Sequence, residues 1–169
     1  MKIISVDPGY DRVGIAILEK NYAPGAPSLE QWVYSQTFET DKKQSLNERC
    51  FAVGQRISEL CQEYNPTYMA IENLFFANNA KTVMGVSQAR GIIMFAAYTA
   101  GIKVHEYTPL QIKAAVAGHG RADKKSVIDM TTKLVRIPSI DQSGKTIKRH
   151  DDEYDAIACG LTFFAHYRP

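Results

Sequence analysis

The succession of short apolar runs and helical stripes is what most restricts the fold of this chain. Three β-type runs come first, Lys2 to Val6, Val13 to Leu18 and Gln31 to Phe38. Asp7-Pro8-Gly9 ends the first, and a Pro/Gly loop from Tyr22 to Pro27 follows the second, so the three can form an antiparallel meander. From Ser45 onward helices and strands alternate. Leu46, Cys50, Val53, Ile57, Leu60 and Tyr64 recur every three or four residues behind the capping-box pattern Ser45-Leu46-Asn47-Glu48, and Asn65-Pro66 ends that helix. Tyr68 to Glu72 reads as a buried strand, Ala80 to Ala100 as a helix closed by Gly101, and Lys103 to Tyr107 as a fifth strand. Thr108-Pro109-Leu110-Gln111 opens a helix that Gly118-His119-Gly120 breaks. Asp123 caps the next, which runs to about Arg136, and Asp152 to Tyr167 forms the last. The polar, basic stretch Ser139 to Arg149 is a loop or a surface hairpin. Strands that alternate with helices add in parallel to the meander. The expectation is an α/β fold, a mixed five-stranded sheet with helices on both faces, with residues 1–169 as a single domain.

The chain has 169 residues, enough to bury a core without disulfides. Cys50, Cys61 and Cys159 are odd in number and form no CxxC pair, which argues against a disulfide framework or a zinc site and fits a reducing compartment. No apolar run approaches the ~20 residues of a membrane span, and the first is too short for a signal-peptide core. A cytoplasmic protein with no membrane partner is expected. Net charge is only +2, but Lys103 to Arg149 carries ten Lys/Arg against four Asp/Glu. A basic segment beside an acidic remainder suits a polyanion partner, and a solvated lysine-rich face accounts for it equally well on charge alone.

Four acids stand where solvation does not explain them. Asp7 ends an apolar strand, Glu72 ends the run Tyr68-Met69-Ala70-Ile71, and Asp152 and Asp155 share one face near the start of an apolar helix. Acids at the ends of central strands of an open sheet point into the crevice where such folds place ligands. A carboxylate cluster without His or Cys prefers Mg²⁺ or Mn²⁺ over Zn²⁺. Each acid alone has a plainer role. Asp7 before Pro8-Gly9 shapes a turn, and Asp151, Asp152 and Glu153 favour a helix N-terminus. It is the convergence of all four that favours chemistry.

These residues resemble a known family. Asp7-Pro8-Gly9 followed by Gly14, Ala70-Ile71-Glu72 with Phe75, Gln88-Ala89-Arg90-Gly91, Gly118-His119-Gly120-Arg121-Ala122-Asp123-Lys124 and Asp152-Glu153-Tyr154-Asp155-Ala156-Ile157-Ala158 are similar, in order, to segments of the RuvC-type Holliday-junction resolvases. The resemblance spans nearly the whole chain. It implies an RNase H-like fold, with metal-binding catalytic acids at Asp7, Glu72, Asp152 and Asp155 and functional lysines at Lys113 and Lys124. It also implies a junction-contacting aromatic at Phe75. Asp152 fits the Asp-x-x-Asp spacing better than Asp151, and His150 stays a minor candidate. The stretch from Ser139 to Asp151 is longer than its counterpart in the family, and a bland surface hairpin is favoured there over an added phosphate contact.

The implied activity is paired, symmetric cleavage of four-way junction DNA with two Mg²⁺ per subunit, Mn²⁺ substituting, giving 5′-phosphate ends. Lys124, Lys125, Arg121 and His119 would contact DNA backbone. Phe75 and Phe76 cannot both face one core, so one ring is free to stack on a base, or the pair plugs the sheet end. Symmetric cuts favour a homodimer, with the apolar Ala80 to Ala100 helix serving core and interface. The family also implies branch-migration partners of the RuvA and RuvB type. The alternative is a catalytically inactive or RNA-directed RNase H-like nucleic-acid-binding protein. An inactive relative would lack at least one of the four acids.

Overall fold

The structure, a computed structural model, describes residues 1–23, 29–73, 80–140 and 143–168, with backbone alone for 80–82. The elements run β1 (Lys2–Asp7), β2 (Arg12–Lys20), β3 (Glu30–Glu39), α1 (Leu46–Tyr64), β4 (Tyr68–Glu72), α2 (Ala80–Thr99), β5 (Lys103–Tyr107), α3 (Pro109–Ala117), α4 (Lys124–Leu134) and α5 (Asp151–His166). The sheet order is β3-β2-β1-β4-β5. The first three strands are the expected antiparallel meander, and β4 and β5 join parallel to β1. β1, β2 and β3 extend one to two residues beyond their apolar runs, because ladder hydrogen bonds continue past the last side chain that needs burial, while β4 and β5 keep the expected bounds.

Strand parity decides what each face carries. Ile4, Val6, Ile15, Ile17, Met69 and Ile71 face α1 and α2, meeting Val53, Ile57, Leu60 and Ile93. Ile3, Ala16, Leu18 and Ala70 face the other way and pack with Ile157, Cys159 and Phe163 of α5 and with residues of α3 and α4. Helices on both faces are therefore a consequence of strands apolar on both sides, and each fully buried Ile or Leu contributes about 1.5–3 kcal/mol. Cys50, Cys61 and Cys159 are free and buried.

Two glycines let α5 lie directly on the sheet. A Cβ at Gly14 would come within 1.8 Å of the Asp152 carbonyl oxygen, and one at Gly160 within 2.7 Å of Ser5 Oγ. Local signals set the helix starts. Ser45 with Glu48 and Thr108 with Gln111 form reciprocal capping boxes, and Asp123 accepts from Ser126 N–H at 2.7 Å. The stretch after α4 is hairpin-like, with Ile140 bridging Thr146 and Gly144 at a φ of 83°. Among the described residues, no helix is long and apolar enough to cross a membrane.

Candidate active site

Parity carries two acids to one place. Asp7 lies two residues beyond Ser5 on β1, and Glu72 two beyond Ala70 on β4, so both project toward α5. Val6 pairs with Ile71 in the parallel register, which makes Asp7 and Glu72 the next neighbours across the two central strands. Asp7 pairs on its other side with Gly14, the glycine over which the start of α5 passes. Asp152 is thereby held above the end of β1, and Asp155 follows one turn along on the same face.

The four carboxylates form one electrostatic unit. Burial pushes Asp7 well above the usual carboxylate range, and Glu72, Asp155 and Asp152 push it further, with Lys124 opposing. Burial, then Asp155, raises Glu72 to about 7 against the pull of Lys113 and Lys124. Burial also raises Asp155. Lys124 Nζ lies 3.0 Å from Asp155 Oδ2 and 3.3 Å from Asp151 Oδ2. Burial lowers its pKa, but these two carboxylates outweigh that and keep the ammonium charged.

Two clefts flank the acids. One, of about 270 Å³, is lined by Glu72, Asp155, Lys113 and Lys124 over an apolar floor of Ile112 and Val127. The other, of about 420 Å³, is lined by Tyr10, Arg12, Glu39, Thr40, Lys42 and Asp152. Arg12 Nε approaches Asp152 Oδ2 to 3.1 Å. That buried oxygen nonetheless makes no aligned hydrogen bond. Among the described residues, no three His, Cys, Asp or Glu side chains close into a ready-made metal cage. The donor set still fits a hard divalent ion that retains several waters: oxygen donors only, crowded negative charge, and a buried Asp152 oxygen that has an ion pair with Arg12 but no hydrogen bond.

The other expected residues are distributed unevenly. Asp151 is exposed and turns to Lys124, leaving Asp152 as the acid that acts on Asp7. His150 precedes α5 without a side-chain cap and sits 3.6 Å from Glu39. His119, Arg121 and Lys125 are exposed in the α3–α4 turn and the first turn of α4 and line neither cleft. Phe75 and Phe76 lie outside the described residues.

Sequence reading passed over a buried brace at the start of α5. Glu153 accepts from Ser35 Oγ at 2.5 Å and from Arg149 Nε at 2.8 Å, Trp32 Nε1 donates to Ser35 Oγ, and Arg149 also donates to the Pro138 carbonyl. Arg149 stands before the helix, outside the range where a spacing of four signals a helix pair. The partners on β3 had no local signal either. Arg12, beside Asp152, was also passed over, since a cation in a tight turn looks like ordinary surface.

A mixed sheet in this order, with carboxylates at the ends of its two central strands and on the helix that crosses them, defines an RNase H-like nuclease. The sequence profile of the family Crossover junction endodeoxyribonuclease RuvC matches residues 3–163. The Crossover junction endodeoxyribonuclease RuvC of Brevibacillus brevis is 35% identical over 96% of this chain and 90% of its own. The solved Thermus thermophilus RuvC superposes with a TM-score of 0.81 at 26% identity, covering 98% of this chain and 95% of that one. The same T. thermophilus protein in complex with Holliday junction substrate gives a TM-score of 0.81 at 27% identity over 96% of this chain and 92% of that one. The chain belongs to the RuvC family of crossover junction endodeoxyribonucleases.

Proposed function

We propose that this protein resolves Holliday junctions in recombination and repair by paired, symmetric phosphodiester cleavage. The observation that carries this is the carboxylate cluster of Asp7, Glu72, Asp152 and Asp155, in which burial and neighbouring acids raise Asp7, Glu72 and Asp155, opened to solvent by two clefts. Membership of the family supplies the substrate class.

Asp7, Glu72, Asp152 and Asp155 would hold two Mg²⁺ per subunit, with Mn²⁺ as a substitute. Such ions, when bound, supply a water of lowered pKa and charge stabilisation at the leaving oxygen. The rest falls to the chain itself. Lys124, already fixed by Asp155 and Asp151, keeps a charged donor at the mouth of the cleft, where it offsets developing negative charge on a phosphate. Lys113 faces Glu72 in the same cleft and serves the same end. The apolar floor of Ile112 and Val127 limits competing water there. The products are 5′-phosphate ends. His119, Arg121 and Lys125 contact backbone away from the cut, and Phe75, with Phe76, meets the junction bases.

The protein acts as a homodimer. α2 leaves Met84, Phe95 and Tyr98 exposed on one face, with Gln88 and Gly91 between them, and α1 exposes Phe51. Exposed aromatics in a helical stripe support a second copy of the chain docking there, which also gives two sites for two cuts. We place the protein in the cytoplasm, with RuvA- and RuvB-type proteins as partners.

The test is a labelled four-way junction beside a matching linear duplex, in Mg²⁺ or EDTA, with Asp7→Asn alongside. Junction-selective, paired, Mg²⁺-dependent nicking that vanishes in the variant is expected. Tight junction binding without cleavage in Mg²⁺ or Mn²⁺ overturns the enzymatic reading.

A further inference from the structure

We propose that the cleft between the β1–β2 turn and the start of α5 is a backbone-phosphate subsite. Its ligand is a phosphodiester of the DNA strand neighbouring the scissile one, on the opposite side of the acids from Lys113 and Lys124. The inference rests on the resolvase reading and adds to it the path of the strand.

Position gives the first reason. Each cleft reaches the acid cluster, one through Asp155 and Glu72 and the other through Asp152. A strand that presents one phosphate to the acids must run on to both sides. The lysine-lined cleft receives one flank, and the Arg12/Lys42 cleft lies where the other must go.

Construction gives the second. The turn is braced far more heavily than a surface turn requires. Thr40 N–H donates to the Asp11 carbonyl at 3.1 Å, and Thr40 Oγ1 donates to the Tyr10 carbonyl at 2.6 Å. Arg49, itself buried, donates from Nε to Thr40 Oγ1 at 2.8 Å, pairs with Asp11, and lies 5.1 Å from the centroid of the Tyr10 ring. Tyr10 in turn packs on Gly85 of α2, where a Cβ would stand 2.7 Å from the ring. A buried arginine that only stabilised a turn would be a costly device. This one also neutralises Asp11 within the cleft and fixes the backbone that carries Arg12.

Charge gives the third. The acids facing the cleft are Asp11, Glu39 and Asp152; Asp11 is paired with Arg49, Glu39 faces His150, and Asp152 faces Arg12. Arg12 is half exposed, and its contact with Asp152 lacks an aligned hydrogen bond, so its forked donors stay available. Lys42 lines the same cleft and has no ion pair among the described residues. When Asp152 is engaged by a dication, Arg12, Lys42 and Arg49 face only Asp11 and Glu39, an excess of one positive charge on a rigid surface, which is the chemistry that recognises a phosphodiester.

The test uses the cleavage-deficient Asp7→Asn protein as parent, binding a four-way junction in Mg²⁺ over a range of salt. Arg12→Ala and Lys42→Ala are added singly, with Lys103→Ala, at the opposite end of the sheet, as control. Each cleft variant should bind several-fold more weakly and lose about 0.9 from the slope of log K against log salt. The control should match the parent. Junctions bearing one neutral methylphosphonate, moved along the strand from the cut, should show a position where the parent loses affinity and Arg12→Ala does not. Parent-like affinity, slope and methylphosphonate response in both cleft variants would overturn the subsite and leave the resolvase standing. Failure of the parent to bind the junction at all would overturn both.

Discussion

Asp7 is placed against its own stability. Its carboxyl is buried among three other acids, and with Glu72 at about 7 the cluster holds protons that the unfolded chain would release. The sign follows from linkage. A folded pKa above the unfolded one gives stability that is full below the ordinary carboxylate range, near pH 4.5 for Glu72, and is lost as pH rises through about 7. In EDTA the melting temperature should therefore fall between pH 5 and pH 8 by more than in Asp7→Asn, and Mg²⁺ should shrink that fall by favouring the ionised acids. A scanning calorimetry series across that range checks it, and identical pH profiles for the two proteins would contradict it. Asp7→Asn should also melt higher than the parent in EDTA at neutral pH while losing cleavage. Glu153 serves the fold. It is buried with Arg149, so Glu153→Ala strands a buried guanidinium and should cost about 3–5 kcal/mol in chemical denaturation. Because the pair anchors the residue next to Asp152, the variant should also need more Mg²⁺ to reach half its thermal shift.

At the scale of elements, α5 is the piece on which the site depends. It reaches the sheet only because Gly14 and Gly160 have no side chains to hold it off. Gly14→Ala must move the Asp152 backbone, since its Cβ would fall 1.8 Å from a carbonyl oxygen that cannot rotate away. Overpacking of this kind costs about 1–3 kcal/mol, and the displaced acid should lower cleavage far more than the stability loss explains. A folded Gly14→Ala protein with near-parent cleavage would show that the approach of α5 is not limiting. Thr108→Ala offers a contrast. It removes a reciprocal cap from α3 and should cost about 1 kcal/mol in urea unfolding. Cap, periodicity and turn chemistry made every one of these elements legible in the sequence, because each is settled by residues within a turn or two of one another.

For the whole molecule, the exposed face of α2 bears on association. α2 is buried on one side against α1 and the sheet and presents Met84, Phe95 and Tyr98 on the other. Light scattering should give twice the chain mass for the wild type, and Phe95→Glu should shift the mass to that of one chain with its circular dichroism unchanged. A monomeric wild type would remove the support for this face as an interface. Paired cleavage of a junction should then be lost in Phe95→Glu, while single nicks persist.

The sequence by itself determined the order of strands and helices along the chain and singled out four acids at strand ends and on one helix face, while their role came from the family resemblance. Periodicity and capping act over a few residues, so they can be read along the chain. Only the tertiary structure decided which further cations stand around the acids, beyond the lysines that the resemblance implied. Arg12 reaches Asp152, and Arg49 braces the turn from α1, through contacts between segments far apart in sequence. Glu153 is tied to Ser35 across 118 residues, a pairing that no local pattern records, because it exists only once α5 has crossed β3.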